Sequence, residues 1–219
     1  MLRRLLLLMA VAPLAVACLP TSGDRPVDVD ADDDGWTDEQ ELAQHTDPYD
    51  ADDHPYTGGW PIGACRHDIE PTGGYAVGDV VGNLAFTDQY GDTVRLHDFC
   101  DKAVVAIGAA GWCGPCNEEA PKMQELYTTY QDRLVVITWL GKSTQDEPPT
   151  DADVQDWIDT HGLTHIVVAD VDWVNTKHFV EDEDRFPIPS MNLFAPGGEI
   201  VVAAGWIGEN NVVDVLPSE

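Results

Sequence analysis

Positive charge is what this chain has least of: 11 lysines and arginines stand against 40 aspartates and glutamates, a formal net charge of −29. A surface of that sign repels the phosphates of nucleic acids and anionic lipid headgroups, so no nucleic-acid partner is expected. Cysteine is sparse too, with only Cys18, Cys65, Cys100, Cys113 and Cys116. Just the last two are paired by spacing. No second Cys or His pair with ligand spacing accompanies them, which argues against a zinc site built on that pair. The seven histidines are scattered without ligand spacing and are expected at the surface or partly packed, none of them catalytic. Beyond the first 17 residues no apolar run is long enough to cross a bilayer.

The start of the chain is different. Arg3-Arg4, the apolar run Leu5 to Val16 and then Ala17-Cys18 have the order of an export signal whose hydrophobic part is too short to span a membrane. A cysteine directly after Ala15-Val16-Ala17 resembles a bacterial lipobox, although position 15 departs from the usual Leu. The resemblance implies removal of residues 1–17, lipidation of Cys18 and attachment to the membrane through it; ordinary signal cleavage nearby is the alternative. In either case the mature chain lies outside the cytoplasm, where disulfides persist.

From Asp24 to Asp53 the chain carries thirteen acidic residues against Arg25 alone. Within this stretch Asp30 to Glu41 fits the twelve-position calcium loop. Asp30, Asp32, Asp34 and Asp38 fall at positions 1, 3, 5 and 9, Gly35 at 6 and Glu41 at 12, with the Trp36 carbonyl as the remaining ligand. Calcium is the expected ion because it takes six to eight hard oxygens. The following stretch Leu42 to Asp52 resembles bacterial thrombospondin type 3 repeats more than a paired EF-hand, with Asp50 and Asp52 as candidates to complete the shell. The competing reading is a solvated acidic linker.

The remaining chemistry gathers at Trp112-Cys113-Gly114-Pro115-Cys116, preceded by the apolar run Ala103 to Ile107 and followed by a helical pattern to Tyr130 with Met123, Leu126, Tyr127 and Tyr130 on its core face. A strand, a tight turn and a helix start put Cys113 at the helix mouth. There, unpaired N–H groups and the positive end of the dipole favour a thiolate, which makes Cys113 the nucleophile. Cys116, one turn further in, is the resolving thiol.

WCGPC resembles the active site of thioredoxins, and its surroundings resemble the envelope-facing TlpA/ResA type. The resemblance covers about residues 75–208 and rests also on Glu119, Pro121, Ile188-Pro189 and the hairpin-like stretch Gly82 to Leu96. It implies a thioredoxin fold, with a central mixed β-sheet flanked by helices and an N-terminal β-hairpin. It also implies a cis-proline facing the disulfide, at Pro189 and less well at Pro187, and supporting roles for Trp112, Gly114, Pro115 and Ile188. Thioredoxins carry a buried Asp in the strand before the motif; Ile107 stands there here. Glu119 is therefore expected to accept the proton of Cys116, since helical side chains lean toward the N-terminus, over the turn holding that cysteine. No cofactor beyond the redox-active cysteine pair is implied.

The expected organisation is a signal at 1–17, an anchor and calcium segment at 18–54, a connector at 55–74 and a thioredoxin-like domain at 75–219. Cys65, in the Gly- and Pro-rich connector, has Cys100 as its only partner outside the active site; two separate free thiols are the alternative. Thr150 should cap a helix that Gly162 stops, and Val171 to Val180 reads as a further short helix.

The expected activity is an envelope-anchored thiol-disulfide oxidoreductase, reducing protein disulfides and recharged by a membrane thiol electron donor. A peroxidase of peroxiredoxin type is the first rival, but Ala109-Ala110-Gly111-Trp112 offers neither the Thr nor the Pro such enzymes need before the reactive cysteine. A redox-silent, calcium-dependent surface module is the second.

Overall fold

A computed structural model describes residues 29–218. The elements in chain order are α1 (Asp38–Ala43), β1 (Ala85–Thr87), β2 (Thr93–Arg95), β3 (Ala103–Ala110), α2 (Gly114–Tyr130), β4 (Leu134–Lys142), α3 (Asp151–His161), β5 (Ile166–Ala169), β6 (Ser190–Phe194), β7 (Ile200–Gly205) and α4 (Glu209–Val213). β1 and β2 form an antiparallel hairpin, while the other strands make one mixed sheet in the order β5-β4-β3-β6-β7. β3 runs parallel to β4 and antiparallel to β6, so it is the central strand.

Every residue of β3 is buried, as a strand covered on both faces requires. Its side chains divide with the period of two that a pleated strand imposes. Val104 and Ala106 join Tyr56, Trp60, Phe86, Val94 and Phe99 on one face. Ala103, Val105 and Ile107 join Met123 and Leu126 of α2 and Val212 of α4 on the other. Tyr56, Trp60 and Ile62 thus bring the connector into the same apolar core as the hairpin.

The Cys65–Cys100 disulfide, with Cα atoms 5.8 Å apart, fastens that connector to the turn before β3. Next to it the buried Arg66 guanidinium grips both oxygens of Asp53 and lies 3.6 Å from Asp98 Oδ1, and the Tyr56 hydroxyl donates to Asp98 Oδ2. Burial, with the Asp98 charge adding to it, pushes the Tyr56 phenol above its ordinary range.

α3 is capped as expected: Thr150 Oγ1 accepts from Asp153 N, Asp153 returns the bond, and Gly162 ends the helix at φ +63°. The helix expected over Val171 to Val180 is instead two short 3₁₀ turns, Val171–Trp173 and Thr176–Phe179. Asp172 and Trp173 take φ of 58° and 61°, which no right-handed helix contains. The buried Asp170 carboxylate accepts from the N–H groups of both Asn175 and Thr176, replacing helical bonds with a local side-chain cap.

Candidate active site

β3 delivers the chain to residues 111–113, and α2 begins at Gly114. Pro115 lies within the first two helical positions, where no N–H is needed. Cys113 is the N-cap, and its Sγ accepts from Cys116 N at 3.2 Å. The two cysteines are joined, with Cα atoms 5.2 Å apart. Exposure does not separate them: Cys113 is 3% and Cys116 2% accessible. The N-cap position of Cys113 does. Gly111 is fixed by close approach, since a Cβ there would lie 2.7 Å from the backbone nitrogen of Thr144.

The pairing register fixes what faces this turn. Gly108 on β3 lies opposite Ser190, the first residue of β6. The segment before Ser190 therefore sits across from the end of β3, and the Ile188-Pro189 bond in it is cis. The Ile188 carbonyl oxygen is 3.8 Å from Cys113 Sγ. Trp112 is half exposed, with its Nε1 donating to Asp146 Oδ1 at 2.8 Å. Glu119 is buried on α2, three residues beyond Cys116, and pairs with Lys122 Nζ. It also lines a groove of about 340 Å³ with Met123, Leu126, the exposed Trp206 and Glu209. Ile107 is buried among apolar neighbours.

Two features escaped the sequence reading. Asn117, directly after Cys116, donates through Nδ2 to the carbonyls of Gly111 and Cys113 at 3.1 and 2.7 Å, and its Oδ1 lies 3.1 Å from His161 Nε2. His165 is not at the surface but 1% exposed. Its Nδ1 is 3.1 Å from Gln124 Oε1 and its Nε2 3.0 Å from the Thr138 hydroxyl. Gln124 Oε1 can only accept, so Nδ1 carries the proton and Nε2 accepts from Thr138. Burial pushes the His165 pKa down to about 3. His97 is buried as well, its Nε2 2.8 Å from the Val81 carbonyl oxygen. The only sequence signal for His165 is its position directly before the apolar run of β5; nothing local points to Asn117.

In the acidic segment, oxygens of Asp30, Asp32 and Asp34 lie within 4.8 Å of one another. Gly35, at φ +101°, turns the loop so that its N–H donates to Asp30 Oδ2 at 3.0 Å. Thr37 caps α1, which presents Glu41. Glu41 is 0% exposed and neither of its oxygens has a hydrogen-bond partner; Asp30 Oδ1, Asp32 Oδ2 and Asp34 Oδ2 are likewise unpartnered. Burial first, then the neighbouring carboxylates of Asp32, Asp34, Asp38 and Asp30, pushes Glu41 up to about 7. Asp38 Oδ1 accepts from Ala31 N at 3.0 Å. Asp50 and Asp52 are outside the group of converging oxygens found among the described residues. Cys18 and the segment before it lie outside the described residues, and among those described no helix is long and apolar enough to cross a membrane.

Residues 77–203 match the AhpC/TSA family. Thiol-disulfide oxidoreductase ResA of Geobacillus kaustophilus is 32% identical over 125 residues, covering 57% of this chain and 67% of its own. ResA of Bacillus thuringiensis is 29% identical over the same shares of the two chains. In structure, a thiol:disulfide interchange protein from Bacteroides sp. superposes with a TM-score of 0.51 at 21% identity, covering 64% of this chain and 88% of that one. The thioredoxin domain of a thiol-disulfide oxidoreductase from Bacteroides vulgatus gives 0.50 at 22% identity, covering 64% and 95%. With a family match over more than half of its length, centred on a strand, a Cys-x-x-Cys turn and a helix, this chain belongs to the AhpC/TSA family and is a thiol-disulfide oxidoreductase of thioredoxin fold.

Proposed function

We propose that this protein is an envelope-anchored reductase of protein disulfides in which Cys113 attacks and Cys116 resolves. The observation that carries this is Cys113 at the N-cap of α2 with the Cys116 N–H directed at its sulfur, an arrangement that stabilises a thiolate at Cys113 through a hydrogen bond and the helix dipole. In the reduced protein the Cys113 thiolate attacks one sulfur of a substrate disulfide. That S–S bond breaks, one substrate thiolate leaves, and a mixed disulfide forms. Cys116 then gives up its proton and attacks Cys113 Sγ, expelling the second substrate thiolate and forming the Cys113–Cys116 disulfide. Two electrons have passed to the substrate.

Glu119 is the proton acceptor for Cys116 in this scheme. It is a buried carboxylate one helical turn away, and Ile107 occupies the position where thioredoxins supply an acid. Pro189, Ile188, Trp112, Gly114 and Pro115 shape the docking face. The Gly114-Pro115 pair resembles that of reducing thioredoxins, which favours reduction over oxidation, and a membrane thiol electron donor would restore the dithiol. Insulin reduction driven by dithiothreitol tests the activity. Turnover that is lost in Cys113→Ser supports it, whereas an inert protein would favour a redox-silent module. Peroxide consumption at rates above those of disulfide reduction would favour a thiol peroxidase.

Residues 1–17 are read as the export signal, Cys18 as the lipidated anchor, 18–54 as the anchor and calcium segment, 55–74 as the connector and 75–219 as the catalytic domain. The Asp30–Glu41 loop is read as a calcium site using Asp30, Asp32, Asp34, Asp38, Glu41 and the Trp36 carbonyl. Support comes from Glu41, whose two buried oxygens have no partner beside three converging aspartates. Unpaired buried carboxylates are costly, and a divalent cation would offset part of their charge and give their oxygens a partner.

A further inference from the structure

We propose that Asn117 and His161 form a positioning pair that holds the Cys113 turn in its reactive geometry; this rests on Cys113 being the nucleophile. The Asn117 amide can sit only one way. Its Nδ2 lies 3.1 Å from Gly111 O and 2.7 Å from Cys113 O, and carbonyl oxygens only accept, so the NH₂ must face them. Oδ1 is thereby turned to His161 Nε2 at 3.1 Å. An amide oxygen also only accepts, so His161 carries its proton on Nε2 and donates. The geometry assigns both the amide orientation and the imidazole tautomer.

His161 is well placed to act as a fixed post. It is the last residue of α3, and its ring packs against Trp157, with centroids 4.4 Å apart. The bond therefore ties α3 to the first turn of α2 and, through Asn117, to the carbonyls on either side of Trp112. Asn117 grips Cys113 twice, because the backbone N–H of Asn117 also donates to Cys113 O at 3.1 Å.

Two consequences follow for Cys113, and both have the same sign. Fixing the Cys113 peptide keeps its sulfur against the Cys116 N–H when the disulfide opens, and two donors on the Cys113 carbonyl draw off negative charge that would repel a thiolate. Loss of the pair should raise the Cys113 pKa and slow attack at neutral pH. The effect expected is about three- to tenfold, the range of one net hydrogen bond.

The test is the pH profile of Cys113 alkylation in the reduced full chain, read at Cys113 by peptide mass, for the parent, Asn117→Ala, His161→Phe and His161→Gln. Phenylalanine keeps the packing on Trp157 without the donor, and glutamine restores a donor. The expected result is a midpoint moved to higher pH in Asn117→Ala, moved less far in His161→Phe, and close to the parent in His161→Gln. A profile unmoved in Asn117→Ala, or His161→Phe and His161→Gln shifting alike, overturns the pair, as does a fall in melting temperature with the profile unchanged. Should Asn117→Ala not fold, the two His161 variants decide by the same comparison. A parent protein that does not alkylate at Cys113 would instead refute the reading of Cys113 as nucleophile.

Discussion

Replacing Cys65 and Cys100 together by alanine removes the cross-link between the connector and the turn before β3 without leaving a lone thiol. The bridge spans a sequence separation of 35, for which the chain-entropy relation gives about 4 kcal/mol at 25 °C. In a domain of this size 1 kcal/mol corresponds to about 2 to 4 °C, so the melting temperature should fall by about 8 to 16 °C. Catalysis should survive in the folded variant. Cys100 lies just before β3 and Cys113 just after it, and the eight residues of that strand at about 3.3 Å each separate the bridges by about 25 Å. Thermal unfolding by circular dichroism and insulin reduction on the same samples measure both quantities. A fall in melting temperature of less than about 3 °C would refute the entropic account of this bridge, and loss of activity below the melting transition would refute the separation of the two disulfides.

Further outcomes follow from particular side chains. Glu119→Gln should slow release of the mixed disulfide severalfold while changing the initial attack by Cys113 less; stopped-flow kinetics with both steps untouched would remove Glu119 from the mechanism. His165 is neutral when folded, with a pKa of about 3 against an ordinary 6.5. Its contribution to stability is therefore present above pH 6.5 and lost as the unfolded chain takes up the proton on acidification. That loss is about 2 kcal/mol between pH 7 and pH 5, and denaturant unfolding of His165→Gln should show the slope flattened by that amount. Calorimetry should detect calcium binding that Asp30→Ala and Glu41→Ala each abolish, with a Kd of about 1 mM or tighter; heat unchanged by both substitutions would leave the loop an acidic linker.

The parts of this molecule that were legible in its sequence are those set by local rules. The apolar run that became β3, the capping pattern around Thr150 and Gly162, and the WCGPC turn each carry their structure within a few residues. In the segment after β5 the helical pattern is overruled by the Asp170 carboxylate, which takes the N–H groups that a helix would use. Burial of His165 and the link from His161 to Asn117 depend on side chains 27 and 44 residues away, which meet only after the sheet has formed. The Asp30–Glu41 pattern predicts the convergence of Asp30, Asp32 and Asp34, whereas the hydrogen bond from the Ala31 N–H to Asp38 Oδ1 is a contact that the spacing does not reveal.

The division of labour between the two cysteines is tested most directly by trapping. Cys116→Ser and Cys113→Ser variants, incubated with a disulfide-containing protein and resolved without reductant, should differ sharply. Attack at Cys113 followed by resolution at Cys116 requires mixed disulfides to accumulate through Cys113 in Cys116→Ser and to be absent in Cys113→Ser. Accumulation in Cys113→Ser alone would reverse the two roles, and adducts in neither would contradict a mixed-disulfide mechanism altogether.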